Sequence, residues 1–156
     1  MAATNNMAWW GSIVSWVVVM VGWIVINAQN NGRETRKEVR AALDGTIRRL
    51  EKLESLGRQY HLSTAHDDSI AEEIKLHLKK LWPESVRLNL VDESALAVRV
   101  ASLRRSITLR NFDSAEHAAL LAGDEILAEI AESVSALEEM LQRGFAEKYW
   151  RRRYWI

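Results

Sequence analysis

The side chains whose types and spacing could do chemistry fall in two short stretches: His61, His66, Asp67 and Asp68, and further along the chain Asp113 and His117. Imidazole nitrogens beside carboxylates are the groups that hold a hydrolytic metal or act as general acid and base. Asp113 and His117 stand four apart, a spacing that brings two side chains to one face of a helix. His77 lies next to an apolar stripe and reads as a core or boundary residue. No serine sits in a nucleophile-elbow setting and no Gly-rich phosphate loop is present. With no cysteine in the chain, disulfides, thiol catalysis and Cys-held zinc or iron–sulfur clusters are all excluded.

The pair His66-Asp67 resembles the HD pair of helical metal-dependent phosphohydrolases, which implies a hydrolase with His61, His66 and Asp67 around a metal. The resemblance is two residues long. Such sites also draw on an earlier helix-borne histidine, and none precedes His61. The expectation is therefore no metal, no cofactor and no enzyme activity. Residues 66–68 read as a polar connection whose acids lie near a helix start, where the helix dipole favours them. Asp113 and His117 read as a helix-end pair.

The elements that must carry these residues are helical. One proline and seven glycines among 156 residues, with abundant Ala, Leu, Glu and Arg, favour helix and leave room for one domain. Val39, Leu43, Leu50 and Leu53, with Ile47 and Tyr60 close by, recur at three- and four-residue spacing and predict an amphipathic helix over about residues 34–59. Ser69 to Glu72 forms a capping-box pattern for a second helix with Ile70, Ile74, Leu78 and Leu81 on its buried stripe. Pro83 is expected to stop that helix or begin the next. Residues 86–91 and 96–100 alternate like a hairpin, but Leu96, Val100, Leu103 and Ile107 continue a helical stripe. Residues 92–94 also lack the glycine that tight hairpins favour, so helix is preferred. Ser114 is placed to cap a last helix whose seam runs through Leu120, Leu127, Ile130, Val134, Leu137 and Leu141, long enough for bundle packing. The fold class expected is all-α, a helical bundle or helical hairpin domain of about four helices over residues 33–147.

Ahead of that domain the chain changes character. Basic and acidic residues balance at 21 each, yet none precedes Arg33. Residues 7–26 read MAWWGSIVSWVVVMVGWIVI, with two serines as the polar side chains. As a helix at about 1.5 Å per residue they reach roughly the 30 Å of a bilayer's hydrocarbon core. A transmembrane helix is expected there, after a short extracytoplasmic N-terminus (1–6) and before a polar juxtamembrane linker (27–32). A cleaved signal peptide fits less well, because no basic n-region precedes the apolar run. Arg33, Arg36, Lys37 and Arg40 follow the run, so positive-inside logic sets the N-terminus outside and the body in the cytoplasm of a bacterial-type inner membrane, as a single-pass protein. Trp9 and Trp10 suit the outer interface. Gly11, Ser15 and Gly22 form small-residue positions that allow a second span to pack closely.

The last nine residues, KYWRRRYWI, set basic side chains among aromatic rings. Trp150, Arg151, Arg152, Arg153, Tyr154 and Trp155 suit an anionic membrane surface. A partner-protein groove ranks second, and nucleic acid last because a tether holds the domain beside lipid. The functional expectation is a non-catalytic, membrane-anchored helical scaffold or interaction module. Its partners would be the lipid bilayer, further copies of itself and another membrane protein. The rival is a membrane-disrupting effector gated by its soluble part, for which Ser12, Ser15 and Asn27 provide little polar channel lining.

Overall fold

The structure, a computed structural model, describes the backbone of residues 5–114 and 117–150; side chains are described from Ser15 onward in those spans, except at 25 and 28–30. It is all-α. Among the described residues four helices follow in order, α1 (Asn5–Leu62), α2 (Asp68–Leu88), α3 (Glu93–Thr108) and α4 (Glu125–Trp150), and no strand occurs. The chain divides into two compact units, Met1–Glu38 and Val39–Ile156.

In the first unit the backbone is helical through residues 27–32, where the sequence predicts a turn-like linker. No proline interrupts it, and one glycine among Asn and Gln costs a helix only about 1 kcal/mol. The described apolar side chains of this unit are bare: Trp16 is 71% exposed, Val18 65% and Trp23 66%. A Cβ added to Gly22 would meet nothing within 4 Å. Among the described residues no helix is long and apolar enough to cross a membrane. The expected span, 7–26, is described in part, since the side chains of 7–14 and 25 lie outside the described residues.

The second unit is a helical bundle. From α1 it buries Leu43, Leu50, Leu53 and Tyr60, the three–four spacing that lines one face of a helix. Thr46 falls in the same seam and donates its hydroxyl to Ala42 O at 3.1 Å, which satisfies it without a partner helix. Ala71, Ile74, Leu81 and Leu88 come from α2, Leu96, Leu103 and Ile107 from α3, and the run from Ile126 to Phe145 from α4. Helix is thus the form taken within both alternating stretches, by 86–88 in α2 and by 96–100 in α3.

Local details differ from expectation. Pro83 lies inside α2 and does not end it. It sits on the exposed side, where water can satisfy the carbonyl one turn back. Asp67, rather than Ser69, caps α2, its carboxylate accepting from the Ile70 amide at 3.1 Å; a charged cap also gains from the helix dipole. Ser114 does not cap the last helix, because α4 starts at Glu125, with Asp124 accepting from the Ile126 amide at 2.9 Å. Residues 109–114 and 117–124 are instead non-helical, and among them Asn111 and Asp113 adopt left-handed backbone (φ 53° and 51°) that α-helix cannot continue through. Leu120 therefore leaves the expected α4 seam, its amide donating to His61 O at 2.8 Å. Finally, Lys148, Tyr149 and Trp150, expected in the tail, continue α4.

Between α2 and α3 the chain turns at Asn89, which is left-handed at φ 48°. Lys148 Nζ donates to Asn89 O at 2.7 Å. Gly144 faces the same turn, and a Cβ there would stand 2.5 Å from Leu90 O. The C-terminal part of α4 thus lies beside the start of α3. At the opposite end, Arg110 Nη2 stands 3.7 Å from Glu129 Oε1, so α3 and α4 are antiparallel.

Candidate functional site

The two sequence stretches that could do chemistry meet around one residue, Tyr60, in the last turn of α1. His61, His66, Phe112 and His117 all pack on its ring, with centroids 5.4, 5.7, 4.8 and 4.9 Å away. The short 63–67 connection delivers His66. Asn111 and Asp113, in left-handed backbone, lie where the chain after α3 meets the end of α1, and Phe112 and His117 come from that stretch.

The polar contacts form a chain. The Asp113 amide donates to the Tyr60 hydroxyl at 3.0 Å. That hydroxyl donates in turn to His66 Nδ1 at 2.7 Å, and His66 Nε2–H donates to Asp68 Oδ1 at 2.9 Å. Each imidazole nitrogen has one role in this arrangement, Nδ1 as acceptor and Nε2 as donor. Lys75 of α2 closes the far side, its ammonium 2.6 Å from Asp113 Oδ2 and 3.0 Å from Glu72. Those carboxylates, Asp113 first, hold the lysine well above its ordinary range. His117 faces two carbonyl oxygens, Asn111 O from Nδ1 at 3.0 Å and Ser63 O from Nε2 at 3.1 Å.

A carboxylate–imidazole–hydroxyl series can pass a proton, and here its hydroxyl end is enclosed while its carboxylate end, Asp68, is exposed. Tyr60 is fully buried, and its hydroxyl already accepts one hydrogen bond and donates another. Burial pushes the phenol above its ordinary pKa, partly offset by the Asp113 amide, so it stays protonated and donates. His61 is equally enclosed. Its Nε2–H donates to Ile107 O at 3.1 Å, its Nδ1 has no partner among the described residues, and burial pushes its pKa down. The arrangement fastens three backbone segments together.

The remaining candidates fall elsewhere. Asp67 caps α2 through one carboxylate oxygen. Among the described residues no three of His, Cys, Asp or Glu converge as a metal ion requires. Asp113 and His117 share the cluster but not a helix, and Asp113 pairs with Lys75 rather than with His117. His77 belongs to a second polar group that sequence spacing does not connect. Arg49 of α1 forks onto Glu84 of α2 with two contacts of 2.7 Å, and its third nitrogen donates to His77 Nδ1 at 3.0 Å. Burial first, and Arg49 second, lower the His77 pKa.

Of the membrane-facing candidates, Trp150 is described and is 65% exposed. Ser15 and Gly22 lie on α1. Trp9, Trp10 and Gly11 are described in backbone alone, and Arg151, Arg152, Arg153, Tyr154 and Trp155 lie outside the described residues. Tyr60 is the centre that sequence reasoning missed; its one signal is a place on the apolar stripe beside His61. No family model, curated protein or solved structure matches this chain, so its own geometry carries the functional argument.

Proposed function

We propose that the protein is a membrane-anchored helical binding module without a reaction of its own. In this reading residues 7–26 cross the bilayer, N-terminus outside, and the Val39–Ile156 unit works at the cytoplasmic face. The observation that carries it is the bare apolar surface of the first unit. Nine large apolar side chains between Trp16 and Ile26 are each more than half exposed, and no charged residue stands among them.

Covering a side chain of this size is worth about 1.5–3 kcal/mol. Nine left in water would forgo more than about 10 kcal/mol, comparable to the whole stability of a domain. A helix apolar on all sides finds its cover in lipid, where its backbone is already satisfied internally. Trp9, Trp10 and the basic-aromatic run at 150–155 would then settle at headgroup depth.

The full burial of Tyr60 and His61 supports binding rather than catalysis. Fractionation of cells making the full chain tests the anchor. The protein is expected in the membrane pellet, resistant to an alkaline carbonate wash and released by detergent. Recovery of the intact chain as a stable species in buffer alone would overturn the reading.

A further inference from the structure

The antiparallel α3 and α4 of the second unit leave a groove of about 610 Å³ between them, with banks of opposite charge. Its α3 bank carries Arg99 and Arg105, with Arg110 just beyond the helix end, and its α4 bank carries Glu129 and Glu132. Arg110 and Glu129 approach each other at 3.7 Å. Arg99, Arg105 and Glu132 have no ion-pair partner among the described residues. Two large apolar side chains flank the same bank, Val98 at 68% and Leu109 at 71% exposure, while Ala101 and Ala136 keep the floor low enough for close approach.

We propose that this face is a homodimer interface whose two-fold axis runs along the helices, placing α3 of each copy over α4 of the other. Symmetry selects that axis. A two-fold across the helices would stack α3 on α3 and α4 on α4, arginine on arginine and glutamate on glutamate. A two-fold along them keeps every residue at its own level and exchanges the banks. Arg105 then faces the Glu132 of the second copy, and the reverse contact repeats it, the reciprocal pattern of an isologous interface. Val98 and Leu109 are covered in the same step.

The dimer is compatible with the membrane reading above, on which this step rests, because any two-fold set along the bilayer normal lets both chains enter from the same side. Two chains held in one membrane meet at high effective concentration, so a face of modest area suffices.

The absence of cysteine lets a single introduced thiol report the contact. Ser102→Cys places that thiol in the groove wall of the full chain, to be joined with a short bismaleimide in detergent micelles. The chain carrying this substitution alone is expected to cross-link. Arg105→Glu or Glu132→Arg, each added singly, turns both reciprocal contacts repulsive and is expected to lower the yield tenfold or more. Combining the two in one chain, or mixing the two charge variants, restores opposite charges and the yield. Both residues are exposed, and unchanged helical circular dichroism verifies that the variants fold. Undiminished yield in either charge variant, no cross-link through Cys at 102 alone, or loss without recovery in the combined variant would each overturn the interface. Cell fractionation is read separately, so a failed anchor and a failed interface give different results.

Discussion

Residues 15–38 and 39–62 belong to one helix, α1, yet their apolar side chains meet opposite fates. In the first stretch Trp16, Val18, Trp23 and Ile26 are all at least 60% exposed; in the second Leu43, Leu50, Leu53 and Tyr60 are fully buried. Backbone conformation is the same in both. The difference lies in how apolar residues are distributed around the helix. A single stripe can be covered by the other helices of a bundle, whereas a helix apolar on all sides needs a surrounding solvent of its own kind. A helix assignment therefore says little about function until the side chains have been asked what covers them.

Truncating each stretch tests that contrast most directly. Leu53→Ala should destabilise the second unit by about 2–5 kcal/mol, the usual range for a leucine removed from a packed core. Val19→Ala should shift the stability read from the same denaturant series by under about 0.5 kcal/mol. Equal losses in detergent would erase the distinction between the two stretches.

A smaller effect is expected where the buried stripe ends. Tyr60→Phe keeps the ring packing but leaves the Asp113 amide and His66 Nδ1 without their partner, at a cost of about 1–3 kcal/mol. Amide exchange at Asp113 should accelerate with it. An unaltered midpoint would mean that the hydroxyl does not fasten residues 109–124 to α1.

The smallest effect is in pH. His61 and His77 both have pKa values lowered mainly by burial, so the unfolded chain takes up protons that the folded one resists. Stability is complete above the ordinary histidine value of about 6.5 and declines as pH falls through it toward the lowered folded values. Arg49 reinforces the trend, because it donates to a His77 nitrogen that must be unprotonated. His61→Gln should flatten part of the acid limb in a pH series of unfolding midpoints; an unchanged limb would remove His61 from this account.

These residues were unequally legible in the sequence. Leu43, Leu50 and Leu53 in α1, Ile74 and Leu81 in α2, Leu96 and Leu103 in α3, and Ile130, Leu137 and Leu141 in α4 could be read as stripes, because helical period is a local property. The ends of helices were less plain. Asp67 and Ser69 both suit a cap, and the choice depended on where the preceding connection could place a carboxylate. Pro83 suits a stop because proline lacks the amide a helix interior uses, and its place on the exposed side of α2 lets water offset that loss.

Of the candidate site, the ingredients were visible and their meeting was not. His61, His66, Asp113 and His117 could be picked out by type, but Tyr60 and the Asp113 amide lie 53 positions apart in the chain. The turn that joins them depends on two non-glycine residues in left-handed backbone, a conformation that Asn and Asp tolerate but do not dictate. The facing charges of α3 and α4 were likewise invisible until the two helices were seen to run antiparallel.

What the sequence determined by itself is the helical character of the chain, the stripes that form the core, and the uncharged apolar opening with basic residues after it. These follow from side-chain type and spacing within a few turns. What tertiary structure alone decided is that the histidines and acids gather around Tyr60, and that one arginine-bearing helix lies beside a glutamate-bearing one. Both depend on contacts between residues remote in sequence, whose geometry is set only when the whole core packs.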